Sequence, residues 1–460
     1  MEEKQRKNLT EGGILRVLTG LALPIMASSF LATAYNITDM AWIGRLGSQA
    51  VAGIGAGGMY VWLSQGLSAL ARMGGQVNMG QCIGRGEEEK AVHYAEAAMK
   101  LVFLFGILFG AVCVIFTAPL IAFFGMQDAG AVACGQVYLK ISCGLILFSF
   151  LNHTLTGLFT AQGNSVTPFR ANLIGLVLNM LLDPILIFGL GPLPRLEAAG
   201  AAVATVAAQA AVTTVLVLEL RGTKKQRQNR NLLREMHLLR KTEAVYYREV
   251  LRIGIPTAIQ SSLYCMISMV LTRMVAGFGS GAVATQRVGG QIESISWNMA
   301  EGFASAMNAF VAQNYGAGKM DRVKKGYRLS FVTVSLWGMI VTVIFLVFAG
   351  PLSGLFFHEA EVLPISEGYF RIVGLCEAFM CVELMSIGAI SGLGNTKSCS
   401  VISVVLTGLR IPLALLLGNT ALGVKGIWWA LTVTSIMKGI VLYLFFWKQC
   451  RKYEGKERLA

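Results

Sequence analysis

Residues 171–190 read ANLIGLVLNMLLDPILIFGL. A run this long and this apolar is what a helix needs to cross the ~30 Å hydrocarbon core of a bilayer. Inside it stand Asn179, Asp183 and Pro184. A carboxylate at mid-depth costs about 2.5–3.5 kcal/mol on insertion scales, so such a residue faces protein or water and is a functional candidate by default. Asn179 and Asp183 are i and i+4 and share one helix face. Pro184 has no N–H, which leaves the Met180 carbonyl without its helical donor. In lipid that carbonyl must find a neighbour, water or an ion.

Similar runs fill the chain. Of 460 residues, 55% are hydrophobic and 14% charged, with a mean hydropathy of +0.61; soluble domains carry about 25% charged residues. Spans of about 20–30 residues are expected at 14–40, 49–83, 89–116, 130–161, 167–190, 197–220, 246–276, 281–315, 321–349, 364–393, 398–418 and 423–449. The fold class is therefore all-α: a polytopic membrane protein with twelve transmembrane helices. The net charge of +14 does not indicate nucleic acid, because the basic residues collect in connectors. Connector 221–249 holds Arg221, Lys224, Lys225, Arg227, Arg230, Arg234, Arg240, Lys241 and Arg248. Connector 316–328 and the C-terminal tail are also basic, whereas 125–130, 277–281 and 358–364 lack Lys and Arg. Positive charge marks the cytoplasmic side, so both termini and the central linker are expected there, in a bacterial inner (plasma) membrane. Residues 1–13 are polar and read as a cytoplasmic segment without a cleavable signal.

The halves repeat. A shift of 232 carries Pro24 to Pro256, Gly47 to Gly279, Ser64 to Ser296, Gln81 to Gln313 and Gly86 to Gly318. A shift of 231 carries Tyr138 to Tyr369, Gly163 to Gly394 and Asn164 to Asn395. With an even number of spans in each, both repeats face the same way, which gives two pseudo-symmetric six-helix lobes and favours a two-lobed transporter. The expected divisions are an N-lobe over 14–220, a basic linker over 221–245, a C-lobe over 246–449 and a tail over 450–460.

Two further polar groups complement Asn179 and Asp183. Asp39 lies in YNITDMAW, one turn after Tyr35; Thr205 lies beside a small-residue face made by Gly200, Ala204 and Ala208. Two carboxylates, an amide and a hydroxyl can bind a proton or a hard cation such as Na⁺. The repeat is an internal control: the mates of Asp39, Asn179, Asp183 and Thr205 are Leu271, Arg410, Ala414 and Leu431. The competing reading puts Asp39 at the water interface and pairs Asp183 with a basic residue. The nine cysteines and four histidines show no metal or catalytic spacing. Motifs for metal hydrolysis, a nucleophile elbow or nucleotide binding do not occur, so an enzyme is not expected.

The stretches NITDMAWIGRLGSQAVAGIG, TAQGNSVTPFRANLIGLVLNMLLDPILIFGLG, EAAGAAVATVAAQ and FVAQNYGAGKMDR resemble the multidrug and toxic compound extrusion (MATE) transporters, over nearly the whole chain. The resemblance implies two six-helix lobes around a V-shaped cavity, and antiport of H⁺ or Na⁺ against organic cations and amphipathic drugs. A monomer in the lipid bilayer is expected, with no cofactor beyond the coupling ion. The acids resemble the DinF-like branch, whose cation site carries over to Asp39, Asn179, Asp183 and Thr205, with Tyr138 nearby; these would ligate the metal if the ion is Na⁺. The NorM-like branch has a glutamate in the seventh span where this chain has Tyr264. Pro24, Pro184 and Pro256 are candidate bending points. Tyr35, Asn152, Glu293, Glu301, Glu377, Glu383 and Arg410 are candidates for the substrate pathway, with Glu383 attracting cations and one of the glutamates pairing with Arg410. Tyr138, Ile141, Leu145, Phe148 and Asn152 form one stripe if the fourth span is one helix. A lipid or polysaccharide-precursor flippase of the same superfamily is the nearest rival.

Overall fold

The structure, a computed structural model, describes residues 9–126, 128–189, 194–221, 231–357 and 359–457. The first half contains α1 (Ile14–Gly44), α2 (Ser48–Arg85), α3 (Glu88–Ile115), α4 (Thr117–Ala122), α5 (Ala129–Gly144), α6 (Leu147–Ala161), α7 (Val166–Phe188) and α8 (Glu197–Arg221). The second contains α9 (Ala244–Ala276), α10 (Ser280–Gly316), α11 (Met320–Val347), α12 (Ala349–Gly354), α13 (Leu363–Gly374), α14 (Glu377–Gly392), α15 (Thr396–Gly408), α16 (Arg410–Gly418) and α17 (Val424–Glu457). No strand occurs among the described residues. Each half makes six spans when α5 with α6, α13 with α14, and α15 with α16 count as broken spans. Helices α2 and α10, at 38 and 37 residues, are long enough to cross but too polar to be recognised by hydropathy alone. Their polar side chains Ser64, Ser68, Gln76 and Asn78, and Ser296, Asn308, Gln313 and Asn314, are buried, turned into protein rather than lipid.

The repeat is visible in the backbone. Gly47 and Gly279 have φ of 97° and 102°, Gly86 and Gly318 of 79° and 70°, and Gly163 and Gly394 of 81° and 82°. L side chains rarely adopt that region, which is why glycine recurs at the same register. The fourth and tenth spans break by 45° and 46°. At each break the preceding span offers a repeat-related glycine: a Cβ on Gly106 would lie 2.9 Å from Leu147 Cδ1, and one on Gly338 would lie 2.5 Å from Ala378 Cα. In the second half the Thr342 hydroxyl donates to the Gly374 carbonyl, exposed by the break, at 2.8 Å. The stripe expected from Tyr138 to Asn152 is accordingly corrected. It is split between α5 and α6, and Leu145 at the break is exposed.

Among the described residues the chain divides into two compact units, one within 27–258 and the other made of 9–26 with 259–457. This differs from the lobes expected at 14–220 and 246–449. Both internal boundaries fall two residues after the repeat-related prolines Pro24 and Pro256, inside α1 and α9. The reason is packing: Leu9, Leu18, Leu21 and Ala22 are buried in the core that holds Phe310, Tyr327 and Met385. Val250 is buried with Leu158 and Phe159 of the first unit, and a Cβ on Gly254 would collide with the Leu70 carbonyl.

The linker is likewise more than a spacer. Residues 222–230, with Lys224, Lys225, Arg227 and Arg230, lie outside the described residues, but beyond them the chain docks on the first unit. Leu232 and Leu233 form a short 3-10 turn and are buried. The Leu232 N–H donates to Gln162 Oε1 at 3.0 Å. Buried Glu96 of α3 accepts the His237 N–H at 2.8 Å and the Thr242 hydroxyl at 3.3 Å. Residue Leu9, expected in a polar leader, is anchored in the second unit: its N–H donates to Gln313 Oε1 at 3.2 Å and its carbonyl accepts from Asn314 Nδ2 at 3.1 Å.

Candidate functional site

Within the first unit, α1, α2, α5, α7 and α8 converge on one small core of Ile43, Ala50, Ile54, Ile187, Ala198 and Ala201, with Tyr138 packed against it. Tyr138 lies over Gly57, where a Cβ would sit 2.9 Å from its ring. The α7–α8 contact is closer still. A Cβ on Gly200 would collide with the Leu186 carbonyl, and one on Gly175 with Val212, 3.2 Å from the Ala208 carbonyl. Thr205 lies between those two contacts along α8 and is therefore level with the turn of α7 that carries Asp183.

Asp183 and Asn179 are 0% and 2% exposed. Asn179 Nδ2 donates to Asp183 Oδ1 at a long 3.4 Å. Asp39 is close enough to Asp183 for the two charges to interact, and both act electrostatically on Tyr138. Asp39 Oδ1, Asn179 Oδ1 and Asp183 Oδ2 are buried and have no hydrogen-bond partner. Among the described residues no Lys, Arg or His lies within 4.0 Å of Asp183, so the alternative of a structural ion pair finds no partner. Each such unsatisfied oxygen is costly unless a proton or hard cation visits it. Carboxylate and amide oxygens are ligands of the kind Na⁺ takes, and a carboxylate can take up H⁺. Among the described residues no group of three or more His, Cys, Asp or Glu is arranged for a metal.

The remaining candidates separate. The side chain of Tyr35 lies outside the described residues. Asn152 is a clasp between α6 and α8: its Nδ2 donates to the Gln209 carbonyl at 2.9 Å and its Oδ1 accepts the Thr213 hydroxyl at 2.7 Å. Pro24, Pro184 and Pro256 lie inside α1, α7 and α9, which continue through them. In the second unit Glu301 is exposed, Glu377 is fully buried, and Glu293 accepts the Tyr369 hydroxyl at 3.2 Å. The expected pairing of a glutamate with Arg410 is corrected. Glu383 pairs with Lys438 at 2.7 Å, while Arg410 donates to Thr434 Oγ1 and Ser435 Oγ at 3.0 and 2.9 Å. Lys438 went unrecognised in the sequence, although a lone lysine in the apolar run of the last span was a signal.

A duplicated bundle of long apolar helices with buried carboxylates, differently placed in the two copies, is the architecture of an integral-membrane protein. A protein-family model described as MatE matches residues 24–185 and again 256–416, and the chain belongs to this MATE family of multi-pass membrane transporters, not to the enzymes. It is 27% identical to a FAD transporter of Shewanella oneidensis over 97% of each chain. It is 26% identical to a probable multidrug resistance protein NorM of Thermotoga maritima, over 94% of this chain and 92% of that one. It shares its fold with an outward-facing multidrug resistance MATE family transporter of the MOP superfamily, with a TM-score of 0.89 at 19% identity and 99% coverage of both chains.

Proposed function

We propose that the chain is a secondary active exporter of the DinF-like kind, in which a proton or Na⁺ bound at Asp39, Asn179 and Asp183 drives extrusion of amphipathic organic compounds. The observation that carries this reading is the group Asp39, Asn179 and Asp183, each with a buried, unpartnered oxygen, whose repeat-related positions hold Leu271, Arg410 and Ala414; the unpartnered oxygens of the second unit, on Glu377 and Glu383, stand at other registers. From the outside the acids take up the cation. Neutralised, they no longer repel each other, and the hydrogen bonding around Asn179 and Asp183 beside Pro184 changes. The helices repack, substrate is released, and the cation leaves to the cytoplasm, where both termini lie. Coupling requires that cation and substrate favour different states. Pro24 and Pro256 are the natural bending points, since each lies two residues before a unit boundary. The names of relatives extend the substrate class in two directions, multidrug resistance and FAD transport.

The test is ethidium transport in proteoliposomes with pH and Na⁺ gradients imposed separately. Wild-type export should follow one gradient, and Asp39→Asn and Asp183→Asn should each abolish gradient-driven export while the protein remains inserted and monodisperse. Full export by both variants would sink the reading.

A further inference from the structure

The second unit holds a cation that the first-unit site does not use. Arg410 stands where α15 gives way to α16 and is 5% exposed. Its Nε and Nη2 donate only to the hydroxyls of Thr434 and Ser435, which are neutral. Among the described residues no carboxylate lies within 4.0 Å of it. Lys438 is the contrast, closed by Glu383, and the nearby Glu293 is held by Tyr369. A buried guanidinium normally has an anionic partner, and its planar fork matches carboxylate or phosphate oxygens in pairs. Beside this charge is a ring platform. Arg410 Cζ lies 5.7 Å from the centroid of Tyr264, and Tyr264 meets Trp297 at 5.8 Å with their planes tilted by 31°. Both rings are half-buried, so they keep apolar surface for a further partner.

Building on the transporter reading, we propose that Arg410, Tyr264 and Trp297 form a binding site for aromatic compounds bearing an oxyanion, either carboxylate or phosphate. The oxyanion sits on the guanidinium beside the Thr434 and Ser435 hydroxyls, and the ring rests on Tyr264 and Trp297. A second-unit arginine then selects the cargo while first-unit acids handle the driving ion. Glu293, one turn before Trp297, opposes anion binding and keeps it reversible.

The probes are three flavins with the same ring: uncharged riboflavin, riboflavin 5′-phosphate and 10-carboxymethylflavin. Their binding to purified protein in lipid nanodiscs is followed by flavin fluorescence. The wild type should bind at least one of the anionic flavins at least about ten-fold more tightly than riboflavin, and which one identifies the oxyanion. Arg410→Gln should erase that preference, Arg410→Lys should keep part of it, and Glu293→Gln should enlarge it. Trp297→Leu should weaken all three flavins alike and leaves Arg410 in place should Arg410→Gln fail to fold. Equal binding of all three flavins by the wild type overturns the proposal, as does a preference that survives Arg410→Gln. Gradient-driven export of ethidium and of the three flavins by the wild type is measured in parallel: export of any of them without an anion preference removes this site only, and export of none removes the export reading itself.

Discussion

Lys438 Nζ donates to Glu383 Oε1 at 2.7 Å, and neither side chain is more than 4% exposed. Removing either partner leaves a buried, uncompensated charge, which costs about 3–5 kcal/mol. Lys438→Met and Glu383→Met should each lower the unfolding temperature in detergent by many degrees, and the double variant should recover most of the loss. If the single changes are harmless, the pair is not closed in the membrane. Glu383 keeps a second oxygen, Oε2, that is buried and has no partner.

Gly200 and Gly426 occupy the same place in the two repeats. A Cβ on either would collide with a carbonyl of the preceding helix, Leu186 in one case and Leu417 in the other. Alanine at each should cost about 1–3 kcal/mol through overpacking, read as similar drops in thermal stability. Only Gly200→Ala should also impair ion coupling, because of these two helix pairs only α7 with α8 carries coupling residues. Equal transport defects in the two variants would contradict a site confined to the first unit.

Glu96 tethers the linker through His237 and Thr242, and Lys100 adds bonds to the Arg240 carbonyl and, at 2.7 Å, to the Thr242 hydroxyl. A hydrogen bond to a charged group contributes about 1.5–3 kcal/mol. Glu96→Ala should therefore speed tryptic cleavage after Arg240 by about ten-fold or more, measured by mass spectrometry on folded protein. An unchanged rate would mean that Leu232 and Leu233 alone hold the linker down.

Asp128 caps α5, accepting the Gly130 and Ala131 N–H groups at 2.7 and 3.1 Å and the Gln49 amide at 2.7 Å. The backbone N–H of Ala131 foremost, with Gly130 and Gln49, holds its carboxyl below the usual carboxylate range. A depressed carboxyl stabilises the fold above its unfolded pKa, about 3.9, and the contribution disappears as pH falls through the folded value. The difference in unfolding temperature between wild type and Asp128→Ala should hold constant from pH 7 down to about 4 and shrink below it. A gap that widens on acidification would refute this cap.

Residues 171–190 already contained the fold class, because apolar length and repeating glycines are local, one-dimensional signals. The shared face of Asn179 and Asp183 was legible for the same reason: four residues on a helix fix a geometry. Two kinds of feature were not legible. The breaks at Leu145 and Leu375 lie against Gly106 and Gly338, some 40 residues away, and the single glycines before them, Gly144 and Gly374, do not stand out among the 52 glycines of the chain. The partner of Glu383 was missed because 55 residues separate it from Lys438, and nothing in the spacing favours Lys438 over Arg410. Asn152 is bonded at both ends of its amide, to the Gln209 carbonyl and the Thr213 hydroxyl, partners that lie 57 and 61 residues away in the sequence.

The change of unit inside α1 and α9 has a genetic consequence. Duplication of a six-span ancestor would have made two self-sufficient halves, but here each half-gene encodes a stretch of helix that completes the other's core: residues 9–26 for the second unit and 244–258 for the first. A chain severed between Arg221 and Asn231 should yield fragments that are unstable when expressed singly and functional only when made together. Once that exchange was in place, neither copy could be lost, replaced or inherited without its twin.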